Sequence, residues 1–92
     1  MDMDNDLGNC WIYRSSRKEE MYLYLATEDG FGEVPQELLE RFGKPQFVLT
    51  LKLTQNSKLA RAEAGAVIAA LRQQGYYLQL PPQLNPHLYF GD

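Results

Sequence analysis

The sequence predicts a single α+β domain with a mixed four-stranded sheet and the element order ββαβαβ. Four short runs rich in aromatic, β-branched and leucine residues predict the strands. Two segments with apolar residues at helical spacing lie between the later runs and predict the helices. The 92 residues are fewer than the roughly 100 to 150 of a typical domain, so we expect one hydrophobic core.

The first two predicted strands form a hairpin. Residues 10–13 and 21–26 are β-prone runs, and the polar residues 14–20 separate them. Because side chains alternate along a strand, Tyr22 and Tyr24 fall on one face of the second strand. Residues 1–9 are acidic and offer little to bury, which predicts a disordered arm before a domain at 10–82.

The first predicted helix starts at residues 34–37, with a proline near its first position. Val34, Leu38 and Phe42 recur every four residues, so the helix presents one apolar stripe to the sheet. Gly43 ends the helix, and Pro45 prevents its continuation.

The third strand is predicted at residues 47–53, with Phe47, Leu49, Leu51 and Leu53 on its buried face. A helix over 62–74 and a strand over 76–80 follow, and this segment is long enough for a parallel crossover. The predicted core therefore includes these residues: Phe47, Leu49, Leu51, Val67, Leu71 and Leu78. The apolar tail at 83–92 is expected either to pack back on the domain or to contact another chain.

Charge and cysteine content limit the classes of protein. The net charge is −3, yet residues 41–62 contain no acid and five cations. One cysteine, Cys10, excludes an intramolecular disulfide and a multi-cysteine zinc site. No apolar run approaches the roughly 20 residues that span a bilayer, and the N-terminus is acidic. We therefore expect a cytoplasmic protein that has no membrane partner and needs no cofactor or metal.

The turn between the first two strands holds the strongest polar cluster. Arg14, Arg17 and Lys18 lie beside two serines, and such a group can bind a phosphate, although a solvated turn is the more common role. Tyr22 and Tyr24 suggest a stacking platform for single-stranded bases, although packing beneath a helix is more common. Cys10 with His87 offers only a minimal thiol and base, so we expect Cys10 to be structural.

Several strings in the chain resemble the YcgL family in order and spacing. They are CWIYRS at 10–15, MYLY at 21–24, VP at 34–35, FGKP at 42–45, KLA at 58–60 and GYYLQLPP at 75–82. The resemblance implies a small α/β/α sandwich from bacterial cytoplasm. It implies no catalytic residue, cofactor or partner.

The function is predicted from what the residues can assemble. No convergent set of nucleophile, base and oxyanion donors is present in the sequence, so we expect a non-catalytic interaction module with a protein partner. An RNA- or phosphate-binding domain that uses the basic turn is the alternative. An enzyme of unknown type is a second alternative, and the oligomeric state is left open.

Overall fold

The computed structural model describes residues 6–54, 57, 59 and 63–81, and it has the α+β class that the sequence predicts. Its sheet contains four strands: β1 (Asp6–Arg14), β2 (Tyr22–Leu25), β3 (Gln46–Thr54) and β4 (Tyr76–Gln79). Two α-helices, α1 (Gln36–Phe42) and α2 (Ala64–Gln74), follow β2 and β3. A short 3-10 turn, Phe31–Glu33, precedes α1.

The sheet is antiparallel throughout, so the predicted mixed sheet is wrong. Its strand order is β3-β1-β2-β4, and each neighbouring pair is antiparallel. The segment from β3 through α2 to β4 joins the two opposite edges instead of two parallel neighbours. The length of this connection allows a parallel crossover but does not require one. Instead, β3 pairs along nearly all of its own length with the side of β1 that β2 leaves open.

Helices cover both faces of the sheet, as the resemblance implies. On one face α1 packs on alternate residues of β1, β2 and β4. The buried residues of this α1 cluster include Tyr13, Leu23, Leu25, Leu38, Phe42 and Leu78. On the other face α2 packs on the intervening residues. The buried residues of this α2 cluster include Cys10, Ile12, Tyr24, Leu53, Val67, Ile68 and Leu71. The period of two along the strands thus separates two apolar clusters.

The predicted core is correct for the helix and β4 but not for the start of β3. Val67, Leu71 and Leu78 are buried, and Leu51 is partly buried against the α2 cluster. Phe47 and Leu49 are 58% and 43% exposed, so their predicted burial is wrong. β3 is an edge strand, and the helices cover its Leu53 end better than its Gln46 end.

A register shift explains the position of Phe47. Ile12 pairs with Leu49 but Tyr13 pairs with Phe47, which leaves Val48 as an extra residue in β3. The shift moves Phe47 to the face of α1. There its ring lies edge-on to the Tyr13 ring, with the two ring centroids 5.6 Å apart. Strict alternation would have placed Phe47 on the same face as Leu49.

The ends of several elements differ from the prediction. β1 begins at Asp6 and pairs with β3, so the expected disordered arm is wrong for residues 6–9, while residues 1–5 lie outside the described residues. The tail at 83–92 also lies outside them. α1 begins one residue after Pro35, and α2 begins at Ala64. Within the part of the chain that the structure describes, no helix is long and apolar enough to cross a membrane.

Candidate binding groove

A groove with a basic rim lies at one end of the sheet. Residues 14–20 line it together with Tyr22 and Gln46, and it has a volume of about 450 Å³. Sheet pairing brings these segments together, since Arg14 is opposite Tyr22 on one side and Gln46 on the other. We call this surface the basic groove.

Ser15 holds the backbone of the turn that forms the groove. Its hydroxyl donates to the carbonyl of Phe42 and accepts from the backbone N–H groups of Arg17 and Lys18, at 2.9 and 3.0 Å. The serine is buried, and its own N–H donates to the Met21 carbonyl at 3.0 Å. The turn is therefore tied to the last residue of α1, where a helix leaves carbonyl groups without partners inside the helix.

Gly43 allows the chain after α1 to approach the turn closely. The Lys44 N–H donates to the Ser16 hydroxyl oxygen at 2.7 Å. Gly43 has a φ of 84°, and a Cβ added to it would lie 2.5 Å from the Ser16 Oγ and 2.6 Å from the Arg17 Cγ. Only glycine fits both the backbone conformation and the space. The sequence pattern predicted only that Gly43 ends the helix.

The three predicted cations are exposed at the groove. Arg14, Arg17 and Lys18 have exposed side chains, as expected for cations in a short turn. The Nε of Arg14 donates to the Gln46 Oε1 at 3.0 Å, which helps to orient the guanidinium group. The backbone N–H groups of Arg17 and Lys18 donate to the Ser15 hydroxyl, so these hydrogen bonds fix the backbone of both residues. The charged ends of the two side chains face solvent.

Two acids share the groove with these cations. Glu19 and Glu20 also line it, and Glu20 has a φ of 62°, a conformation that costs energy for a residue with a Cβ. The lining therefore carries three positive and two negative formal charges. A ligand that presents both acids and hydrogen-bond donors fits this lining better than a uniformly negative one.

The two tyrosines do not form a stacking platform together. Tyr24 is buried beneath α2, and its hydroxyl donates to the Gln79 Oε1 at 3.0 Å. Burial raises the pKa of Tyr24. Tyr22 is partly buried against the α2 cluster and borders the basic groove. Only Tyr22 of the pair is available to a ligand there.

An apolar patch adjoins the groove, where the sequence predicted buried side chains. Phe47, Val48 and Leu49 are 58%, 40% and 43% exposed on the open edge of β3. A second, shallower groove of about 630 Å³ connects Phe47 and Val48 with Arg14 and Tyr22. Three consecutive apolar residues break the alternation of polar and apolar positions, and this was the only sequence signal for the patch.

Cys10 is placed as a structural residue. Its side chain is buried in the α2 cluster, and burial raises the pKa of the thiol from 9.0 to about 11. His87, its candidate base, lies outside the described residues. Across residues 6–54 and 63–81, no group of three or more histidine, cysteine or acidic side chains is arranged to hold a metal ion.

Comparison with known proteins relates the whole central part of the chain to one family. The sequence profile of the YcgL domain matches residues 10–82. A YcgL domain-containing protein of Cellvibrio japonicus is 57% identical over 72 residues, which cover 78% of this chain and 74% of that protein. A YcgL domain-containing protein of Hahella chejuensis is 52% identical over 77 residues, which cover 84% of this chain and 73% of that protein. Protein YcgL of Escherichia fergusonii is 51% identical over 73 residues, covering 79% and 75%.

Proposed function

The chain belongs to the YcgL family, and we propose that it acts in the cytoplasm as a non-catalytic interaction module whose basic groove binds an acidic segment of a partner protein. One observation carries the proposal: the turn is held rigid while its cations remain exposed. Ser15 fixes the backbone of Arg17 and Lys18, and both charged ends face solvent. A rigid site loses less conformational entropy when it binds.

The state of Cys10 supports a role without catalysis. A thiol is a nucleophile only as the thiolate, and burial with a pKa of about 11 keeps Cys10 protonated at neutral pH. The hydroxyl of Ser15, the buried serine at the groove, already makes three hydrogen bonds. Neither group is poised to attack a substrate.

The mixed charge of the groove favours a protein segment over RNA. Glu19 and Glu20 stand among the cations and repel a continuous phosphate backbone. Single-stranded RNA is bound largely by stacking, and Tyr24 is buried. An acidic peptide can place carboxylates on Arg17 and Lys18 and direct backbone N–H groups to the glutamates.

Affinity capture with two charge-matched variants tests the proposal. The tagged full chain, the Arg17→Ala/Lys18→Ala variant and a Lys52→Ala/Arg72→Ala control are incubated with host-cell extract, with and without nuclease. Both double variants lose two exposed positive charges, but only the first changes the groove. We expect a nuclease-resistant partner that the groove variant loses and the control retains.

Two outcomes contradict this function. A partner that both double variants retain would place binding outside the basic groove. Capture that nuclease abolishes, with saturable binding of short RNA at low salt, would favour the RNA-binding alternative; that binding would weaken steeply with added salt.

A further inference from the structure

We propose that the partner segment carries an aromatic side chain beside its acids, and that this side chain sits in the shallower groove next to the basic groove. The proposal rests on the function proposed above, since the acids of the same segment hold it in the basic groove. The two grooves are continuous, because Arg14, Tyr22 and Gln46 line both of them. A segment bound in one groove therefore extends into the other across this shared floor.

The shared floor is a row of three side chains on three neighbouring strands. Arg14 pairs with Tyr22 on β2 and with Gln46 on β3, so the three side chains point to the same face of the sheet. That face is the one that α2 covers, since Tyr22 packs against the α2 cluster. Tyr24, the next residue on this face of β2, is buried, whereas Arg14 and Gln46 are exposed. The row therefore lies just beyond the cover that α2 provides.

The two grooves differ in charge. Three cations and two acids line the basic groove, whereas Arg14 is the only charged residue among the described residues that line the shallower one. The Arg14 Nε donates to the Gln46 Oε1 at 3.0 Å, which ties the guanidinium to the neighbouring strand. Phe47 and Val48 complete the lining at β3. An acid placed against these two side chains would lose water that they cannot replace, so the shallower groove favours an uncharged side chain.

An aromatic ring makes favourable contacts with each part of this lining. A guanidinium such as that of Arg14 attracts the face of an aromatic ring that lies within about 6 Å. Aromatic rings such as that of Tyr22 pack against one another edge-on or offset. Arginine and the aromatic residues are also the types enriched at the centres of protein interfaces. An aliphatic side chain would bury apolar area here but would gain no attraction from the guanidinium.

The width of the floor sets the spacing between the ring and the acids. Tyr22 and Gln46 lie on the two strands that flank β1, about 10 Å apart at roughly 4.8 Å per strand. An extended segment advances about 3.3 Å per residue, so it crosses the floor in about three residues. The ring therefore lies about three residues from the acids that contact Arg17 and Lys18.

Three matched peptides, titrated into the full chain and followed by amide NMR, test the proposal. Each ten-residue peptide has four central glutamates and carries phenylalanine, leucine or serine at both ends, three residues from the nearest glutamate. Both ends carry the same residue, so either direction of binding is served. We expect the phenylalanine peptide to bind about three- to tenfold more tightly than the serine peptide, with the leucine peptide between them.

Substitutions in β3 locate the ring. Val48→Ser and Phe47→Ser each change the lining of the shallower groove. Leu49→Ser is the matched control, because Leu49 is 43% exposed and lies outside the lining of both grooves. The gain in affinity from phenylalanine should shrink in both lining variants and persist in the control. The serine peptide should bind all three variants as it binds the wild type.

The serine peptide separates failure of the aromatic site from failure of the proposed function. Serine and phenylalanine peptides that bind the basic groove equally would overturn the aromatic site and leave the proposed function standing. A leucine peptide that binds as tightly as the phenylalanine peptide would also overturn the site. So would a gain in affinity that survives both lining variants or is lost equally in Leu49→Ser. Absence of binding by all three peptides at about 1 mM would overturn the site and the proposed function together.

Discussion

At the scale of single residues, three buried ionisable groups among the described residues make the fold sensitive to alkaline pH. Burial raises the pKa values of Cys10, Tyr13 and Tyr24. Each group binds its proton more tightly in the folded chain than in the unfolded chain. Stability is therefore complete below the unfolded values of 9.0 for the thiol and 10.0 for the phenols, and it falls as the pH rises above them.

Urea unfolding from about pH 8 to about pH 11 should show this loss as a falling free energy of unfolding. In Cys10→Ala the part of the loss that begins near pH 9 should shrink, because the thiol no longer has to lose its proton. The folded wild type should also react slowly with a thiol reagent at pH 8, and the urea-unfolded chain quickly. An unfolding free energy that stays flat to pH 11 would contradict the burial of these groups.

Gly43 is the second residue whose role can be measured. Gly43→Ala should destabilise the fold by about 1 to 3 kcal/mol, because alanine is strained at a φ of 84° and its Cβ would clash with Ser16 and Arg17. Gly32→Ala is the control, since an added Cβ there meets no atom within 4 Å. Thermal or urea unfolding compares the two. Equal stabilities would show that the turn does not pack against Gly43.

At the scale of elements, β3 is buried at one end and open at the other. Leu53 is fully buried in the α2 cluster, whereas Leu49 is 43% exposed on the same strand. Leu53→Ala should therefore cost about 2 to 5 kcal/mol and Leu49→Ala less than about 1 kcal/mol. Urea unfolding measures both values. Similar costs at the two positions would contradict the placement of β3.

Strand alternation and helical spacing correctly predicted which side chains of β2 and of the first helix share a face, because these features depend only on nearby residues in the chain. The alternation in β2 correctly separated Tyr22 and Tyr24 from Leu23 and Leu25, and the stripe of Val34, Leu38 and Phe42 is buried. Strand order was not predictable in this way, because both parallel and antiparallel neighbours accept the same alternation. The extra residue at Val48 is likewise a property of the pairing with β1, so the exposure of Phe47 could not be read from the period of β3.

The cations of the candidate site could be predicted from the sequence, but the contacts that hold the turn in place could not. The cations of residues 14–18 stand out in the sequence, and their exposure is confirmed. The contacts that hold them come from residues distant in the chain: Phe42, Gly43 and Gln46. No spacing rule connects these residues to the turn before the fold is known.

At the scale of the whole molecule, the sheet places two different surfaces at neighbouring positions. The basic groove lies at the end where Arg14, Gln46 and Tyr22 stand side by side, and the apolar edge of β3 begins at that end.

An amide NMR titration of the full chain shows residue by residue whether the basic groove binds acidic protein segments, as we propose. A flexible ten-residue glutamate-rich peptide is added to about 1 mM, the range in which weak electrostatic binding is measurable. We expect shift changes confined to residues 14–22 and 46–48, weakened by salt and lost in Arg17→Ala/Lys18→Ala. Unchanged spectra, or changes centred elsewhere on the domain, would contradict the claim.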